Sequence, residues 1–253
     1  MTGIKQDQMI DGLFGIGGFL ADGNGDGYVD DLRARIVLDG EPDPELWAAV
    51  LDLAARLGVE TAGLSLPLVD DDPGPDTLPI VVRAGDADRP EYRPDGWRGR
   101  PAVIVEGAGA ASTLARAGAG ANGEARPRSE RPARLDLLEL FETGGLLLDA
   151  DGDGAPDGTR LCVLIPAELP SAVGRALVDF AARLGMESGG VDLPVASTGS
   201  LPEGSVPLRL ELRPGEPARL SAREQPDGAA LEAAGDPAAL AALFSLLAEQ
   251  WPA

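Results

Sequence analysis

Two short acidic segments carry oxygen-bearing side chains at the spacing of a cation-binding loop. In each segment these side chains occupy positions 1, 3, 5 and 9, and a glycine occupies position 6. Alternate residues of such a loop point inward, the glycine permits the sharp turn, and position 7 offers its backbone carbonyl. The predicted calcium ligands are Asp22, Asn24, Asp26, Tyr28 and Asp30 in the first loop, and Asp149, Asp151, Asp153, Ala155 and Asp157 in the second.

Both loops depart from the EF-hand at position 12, where Arg33 and Arg160 replace the bidentate glutamate. A seventh ligand would have to come from Asp31, from Glu41 and its counterpart Glu168, or from water. We therefore expect an affinity of roughly 10⁻⁵ to 10⁻³ M. The second loop has four carboxylates against three in the first, so we expect it to bind calcium more tightly.

The expected role of the ion is structural. Several like charges in one short loop repel one another, and a bound cation would order the loop and hold the strand that follows it. The alternative is an acidic, glycine-rich turn that binds no ion.

The loops resemble the calcium loops of thrombospondin type 3 repeats and, less closely, those of dockerins. The resemblance covers about ten residues in each copy, with Asp, Asn and Gly at the positions given above. It implies structural calcium sites in both loops.

A catalytic alternative rests on the second loop alone. An apolar run, Leu146–Leu148, is followed by Asp149, Asp151 and Gly152, which is similar to the first motif of haloacid-dehalogenase-type phosphatases. That resemblance implies a nucleophilic Asp149, a general acid at Asp151 and a bound magnesium ion. The family also uses a lysine, and Lys5 is the only lysine of the chain.

The acidic loops belong to a longer internal repeat. An offset of 127 residues holds without a gap from the pair Leu13 and Leu140 to the pair Pro67 and Pro194. The longest matched block pairs residues 54–58 with 181–185. We therefore predict two tandem modules, residues 9–116 and 135–253, each of ordinary domain size.

Residues 117–134, between the modules, are rich in Gly, Pro and Arg and show no apolar period. This composition predicts a flexible linker. Its arginines leave two interpretations open, which are a solvated linker and a basic tether that contacts an acidic surface.

Each module is predicted to be a small two-layer βαβββα sandwich of the α/β class, with α+β as the alternative. Strands are expected at residues 34–38 and 161–165 and, interrupted by a proline, at 64–68. Asp43 and Ser171 are the predicted helix N-caps. Gly58 and Gly185 are the predicted helix ends.

Aspartate and arginine side chains on the two predicted helices, and a glutamate just after each helix, have expected roles. The pairs Asp52 with Arg56 and Asp179 with Arg183 are four residues apart, which predicts ion pairs within each helix. The glutamates after the helices, at positions 60 and 187, are expected to be surface residues.

Composition excludes several classes of function. The 42 acidic and 21 basic residues give a formal charge of −21, which repels phosphate backbones and anionic lipid, so we expect no nucleic-acid partner. The chain has no His and one Cys, which excludes histidine-based triads, a Cys–His dyad and most zinc sites. No run of about 18 apolar residues predicts membrane insertion.

The sequence favours a non-catalytic, calcium-stabilised tandem module that mediates binding within a larger cell-envelope or extracellular assembly. The first residues lack the features of a secretory signal, so the compartment is inferred from the calcium loops alone. The partner is expected to be a protein or a glycan. The competing hypothesis is an accessory region of a larger hydrolase.

Overall fold

The computed structural model describes residues 10, 12–117 and 130–250. It shows an α/β fold, as the sequence predicts. The strands are β1 Leu20–Ala21, β2 Asp31–Leu32, β3 Ala34–Asp39, β4 Leu78–Arg83, β5 Glu91–Trp97, β6 Arg100–Glu106, β7 Leu147–Leu148, β8 Gly158–Thr159, β9 Leu161–Leu164, β10 Ala196–Ser197, β11 Val206–Leu212, β12 Arg219–Arg223 and β13 Ala230–Gly235. The helices are α1 Pro44–Val59, α2 Gly107–Arg116, α3 Ser171–Met186 and α4 Pro237–Glu249. Within the described residues, none of the helices has the length and apolarity required to cross a membrane.

The two halves contain sheets with the same strand plan. In the first sheet the order is β3-β4-β6-β5, where β3, β4 and β6 are parallel and β5 is antiparallel to β6. The second sheet has the order β10-β9-β11-β13-β12, and β9, β11, β13 and β12 repeat those directions. Apart from the short hairpins that precede each sheet and the extra edge strand β10, the order of elements in each half is βαβββα. The tandem duplication itself stays a prediction from the sequence.

The structure tests the predicted starts and ends of helices α1 and α3. The Asp43 carboxylate accepts a hydrogen bond from the backbone N–H of Leu46 at 2.8 Å, so this N-cap is confirmed. Ser171 is the first residue of α3 rather than its cap, because Pro170 occupies the cap position. The helices end one residue beyond Gly58 and Gly185, at Val59 and Met186, so the predicted ends are correct to within one residue, and the C-cap residues are Glu60 and Glu187.

Both glycines also lie where α1 and α3 touch. A Cβ at Gly58 would overlap the carbonyl oxygen of Ala182, and a Cβ at Gly185 would overlap that of Ala55. Near the helix starts, the indole of Trp47 lies against Gly174. Residues near the two starts are therefore in contact, as are residues near the two ends, so the helices run in the same direction. The longest matched block of the repeat forms this contact.

Asp52 and Asp179 each form a hydrogen bond with the opposite half. An Asp179 carboxyl oxygen accepts the backbone N–H of Leu68 at 2.7 Å, and an Asp52 oxygen accepts that of Val195 at 2.8 Å. Apolar side chains of both halves also belong to one continuous hydrophobic core. The halves are consequently packed as one body.

The glutamates after the helices are not unpaired surface residues. Arg56 forms an ion pair with Glu60, and Arg183 forms one with Glu187. Each pair spans one helical turn at the end of its helix, where a cation near the C-terminus is favourable.

The proline-containing segments have short contacts with the sheet edges. In the first half, the Leu68 carbonyl accepts the N–H of Ile36 at 2.9 Å, without forming a strand at residues 64–68. In the second half, β10 begins two residues after Pro194 and pairs with β9 in parallel. A proline cannot donate to a sheet ladder, so pairing begins only after it.

Part of the predicted linker packs on the second half. The Arg131 side chain donates to the carbonyl of Ser205 at 2.7 Å and to the Asp227 carboxylate at 3.0 Å. The Pro132 carbonyl accepts the N–H of Ala229. Most of the predicted linker, residues 118–129, lies outside the described residues.

Candidate metal centres

Each acidic loop forms the tip of a two-stranded antiparallel hairpin. The first hairpin is β1 and β2, where Leu20 pairs with Leu32. The second is β7 and β8, where Leu147 pairs with Thr159. The loops thus occupy residues 22–30 and 149–157 and precede β3 and β9, in the order that the sequence predicts.

The stems of both hairpins are held by the same backbone contacts. The N–H of Phe19 donates to the carbonyl of Leu13 at 2.6 Å, and the N–H of Leu146 donates to that of Leu140 at 2.7 Å. A Cβ on the preceding glycine would overlap the same carbonyls, so glycine is required there in both halves. The Arg33 guanidinium donates to the carbonyl of Gly17 at 2.7 Å. In the first loop, position 12 therefore contacts the stem of the hairpin.

In the first loop, the Asp22 carboxylate organises the turn. One oxygen accepts the N–H of Gly25 at 2.6 Å, and the other accepts that of Gly27 at 2.8 Å. These backbone donors, with Gly27 first, lower the pKa of Asp22 below its ordinary value. Gly25 and Gly27 have φ of 78° and 90°, a left-handed conformation that glycine adopts without steric cost.

The second loop repeats this arrangement. The Asp149 carboxylate accepts the N–H of Gly152 at 2.7 Å and that of Gly154 at 3.0 Å. These glycines have φ of 77° and 89°. The aspartate at position 9 closes both loops in the same way, because Asp30 accepts the N–H of Gly23 at 2.8 Å and Asp157 accepts that of Ala150 at 2.7 Å.

The second loop brings three carboxylates together. One oxygen from each of Asp149, Asp151 and Asp153 lies within 4.8 Å of the others. Asp151 and Asp153 are exposed, and Asp149 is half-buried. This cluster could hold a metal ion, because the ligand atoms of a hard cation are oxygens that converge on one point.

The first loop has an amide in place of the middle carboxylate. The side-chain carbonyl of Asn24 accepts the N–H of Asp26 at 2.9 Å, and its amide donates to the Asp26 carboxylate at 3.1 Å. The remaining predicted ligands, Tyr28 and Ala155, follow position 5 in their loops, and their N–H groups donate to Asp26 and Asp153. Their backbone carbonyls are the groups that a calcium loop would use at position 7.

The proposed seventh ligands do not fit the structure. Both carboxyl oxygens of Asp31 are engaged by Ser65, through its backbone N–H at 3.0 Å and its hydroxyl. Glu41 follows the far end of β3, a six-residue strand roughly 20 Å long. Glu168 likewise follows the far end of β9. Water remains as the predicted source of a seventh ligand.

A glycine after each helix lets the chain pass close to its acidic loop, a role that the sequence analysis missed. A Cβ at Gly63 would overlap the carbonyl of Asp30, and a Cβ at Gly190 would approach that of Asp157. Gly63 and Gly190 differ by the repeat offset of 127, so the signal was present in the sequence. Because α1 and α3 run in the same direction, both loops lie at the same end of the helix pair.

The geometry does not favour a phosphatase site at Asp149. The strand before it, β7, has two residues and pairs in antiparallel fashion with β8 in a separate hairpin. A site at the carboxyl end of a parallel sheet would instead follow β9, β11 or β13. The second loop is therefore a hairpin tip outside the crevice where α/β folds usually place catalytic groups.

Comparisons with protein-family models, curated proteins and solved structures find no match to this chain. The description of the site consequently rests on its own residues and geometry.

Proposed function

We propose that the chain is a non-catalytic interaction module in which both acidic hairpins bind calcium. The observation that carries this proposal is the repeated loop geometry, in which positions 1 and 9 make equivalent hydrogen bonds in both copies. In the second loop, three carboxylates also converge within 4.8 Å. The second loop thus places three carboxylate oxygens around a common centre.

Calcium fits these ligands better than magnesium. Calcium accepts six to eight oxygen ligands with flexible geometry, including backbone carbonyls, whereas magnesium demands near-ideal octahedral geometry and retains several waters. The loops offer carboxylates, one amide carbonyl and the carbonyl at position 7 on an exposed turn. The ion would neutralise the mutual repulsion of these carboxylates and stabilise the hairpin.

The shared end of the helix pair suggests how a partner is engaged. Both hairpins project from one packed body, so two calcium-ordered loops would form parts of a single binding end. This replaces the interpretation of two independent modules on a flexible tether, since the halves share a core. We propose a protein or glycan partner in a cell-envelope or extracellular assembly.

The direct test is a calorimetric calcium titration of chelator-stripped protein. We expect two binding events, of which Asp151→Asn weakens the tighter one and Asp26→Asn the weaker one. Glu203→Gln removes one exposed carboxylate outside the loops and serves as a charge-matched control. Absence of binding at millimolar calcium, or equal effects of all three substitutions, would refute specific sites in the loops.

A further inference from the structure

A cleft lies between the two halves, at the end of the helix pair opposite the acidic loops. It has a volume of about 510 Å³ and is lined by the last residues of β3 and the loop after it, by the turn between β5 and β6, and by the first turns of α3. This volume is within the range of about 300 to 1,000 Å³ that is usual for ligand sites. We call it the β3 cleft.

The edge of β3 that faces away from β4 is left unpaired inside this cleft. Earlier on the same edge, Ile36 donates its N–H to the carbonyl of Leu68 at 2.9 Å and accepts the N–H of Asp70 at 3.0 Å. Residues two apart in a strand point to the same side, so Leu38 is the next residue of this edge, and it lines the cleft. Within the residues that the structure describes, no group pairs with the N–H or carbonyl of Leu38 on this side.

The second half fills the equivalent position with its own chain. Ile165 is the counterpart of Leu38 at the repeat offset, and its N–H donates to the carbonyl of Ser197 at 2.9 Å. Ser197 is in turn the counterpart of Asp70. The same ladder therefore ends one hydrogen bond earlier in the first half, where the β3 cleft leaves space for a further extended segment beside Leu38.

The cleft has an apolar floor beside this free edge. Val37 and Trp97 line it, and both belong to the apolar cluster on the face of the first sheet that points away from the helices. An extended segment paired with β3 would point every second side chain toward this face. The floor would thus select an apolar side chain at one position of the segment.

The charged groups at the rim favour a cation. Arg98 and Arg175, the arginines that line the cleft, each form an ion pair with an aspartate of residues 71–72. Asp39 and Glu41 also line the cleft, are exposed, and have no ion pair or hydrogen bond within the described part of the chain. These two carboxylates and the formal charge of −21 attract a basic segment and repel an acidic one.

We propose that the β3 cleft binds an extended, basic peptide segment of a partner protein. The segment pairs its backbone with Leu38 and directs a lysine or arginine side chain to Asp39 and Glu41. Main-chain hydrogen bonds of this kind contribute affinity, and the side-chain positions contribute specificity. The inference goes beyond the proposed calcium sites and holds whether or not the loops bind an ion.

Amide hydrogen exchange of the full chain, followed by NMR in chelator, tests the strand pairing. The probe is a blocked pentapeptide with a central valine, two threonines beside it and an arginine at each end. Valine and arginine then share one face in either chain direction. At a probe concentration about ten times the dissociation constant, exchange of the Leu38 amide should slow about tenfold. The Ile165 amide, which is already bonded to Ser197, should not change.

Matched variants and modified probes separate a specific site from charge attraction. Glu41→Gln should weaken binding about twofold to fivefold, because it removes one exposed charge pair. Glu168→Gln removes the equivalent exposed carboxylate of the second half and should leave the affinity unchanged. Two N-methylated probes block alternate backbone N–H groups, and one of them should lose binding while the other retains it.

Three results would overturn the peptide site. The first is unchanged exchange of the Leu38 amide in millimolar probe. The second is equal weakening by Glu41→Gln and Glu168→Gln, which would indicate diffuse attraction to an acidic protein. The third is full binding of both N-methylated probes, which would indicate contact without strand pairing. Because the experiment is run in chelator, failure of the calcium sites would be seen separately, in the calcium titration.

Discussion

At the scale of single residues, Asp179 links the stability of the protein to pH. Burial raises the pKa of this carboxyl to about 6, although the N–H of Leu68 and the charge of Arg35 act in the opposite direction and Glu249 adds to the rise. The folded protein therefore binds a proton at this carboxyl more tightly than the unfolded chain does. Its stabilising contribution is complete below the ordinary pKa of 3.8 and is lost as the pH rises through about 6.

We predict that Asp179→Asn stabilises the protein at pH 7 and has little effect near pH 4. The amide keeps an oxygen that can accept the Leu68 N–H but carries no charge to bury. The gain in the free energy of unfolding at pH 7 should be at most about 3 kcal/mol. Urea denaturation of both proteins at the two pH values measures it. A variant that is equally destabilised at both pH values would contradict this account of the carboxyl.

Tyr28 provides an optical test of the first loop alone. Its side chain is 76% exposed at position 7, where the second loop has Ala155. A terbium ion bound through the Tyr28 carbonyl would lie close enough to receive excitation from the phenol ring. We predict sensitised terbium emission that Asp22→Asn or Tyr28→Phe removes and Asp149→Asn leaves. Emission that survives Tyr28→Phe unchanged would place the sensitised ion elsewhere.

At the scale of elements, the contact between α1 and α3 depends on Gly58. A larger residue there would overlap the backbone of α3. We predict that Gly58→Val lowers the free energy of unfolding by about 1–3 kcal/mol or more. Gly74→Ala is the control, because a Cβ at Gly74 meets no atom within 4 Å. Equal melting temperatures of the two variants would show that the helices do not approach as described.

The helices also show how far local sequence signals extend. Asp43, with Pro44 after it, predicted the start of α1 correctly because capping is a local interaction. Gly58 marked the end of α1 to within one residue, but its close approach to α3 was not predicted, because glycine signals both a helix stop and a close approach of two backbones. Only the position of α3 distinguishes these two roles, and a local pattern does not contain that position.

The position of the acidic loops before β3 and β9 was predictable for a related reason, whereas the two-stranded hairpins that carry them were not predicted. The oxygen-bearing side chains and glycines of each loop lie within nine consecutive residues, and their role as calcium ligands stays a prediction. The contact of Gly63 with Asp30 and that of Ser65 with Asp31 connect residues more than thirty positions apart. The engagement of Asp31 by Ser65 could not be read from spacing alone, and of the sources predicted for a seventh ligand water stays open.

At the scale of the whole molecule, the two halves should remain associated after the chain between them is cut. They share one core, and Asp52 and Asp179 each accept hydrogen bonds from the opposite half. We predict that cleavage at a specific protease site placed within residues 118–129 yields two fragments that co-elute in gel filtration. Fragments that separate in native buffer would contradict a common core.

The repeat predicted the content of each half but not their joint packing. Offsets in one sequence identify equivalent residues, whereas the contact between α1 and α3 depends on surfaces that are complementary rather than similar. Trp47 and Gly174 illustrate this difference. They occupy equivalent positions, 127 residues apart, and the large indole of one lies against the glycine of the other. In the sequence, a tryptophan matched with a glycine indicates that the two copies have diverged at this position. In the structure, the same two residues are in contact.

The measurement that tests the central claim most directly is thermal unfolding of the chelator-stripped protein with and without 5 mM calcium. An ion bound at roughly 10⁻⁵ to 10⁻³ M would stabilise each loop by about 1 to 4 kcal/mol. Two loops should therefore raise the melting temperature by at least about 4 °C, with a smaller rise in magnesium. An unchanged melting temperature in calcium would contradict the account and leave two acidic hairpins that fold without an ion.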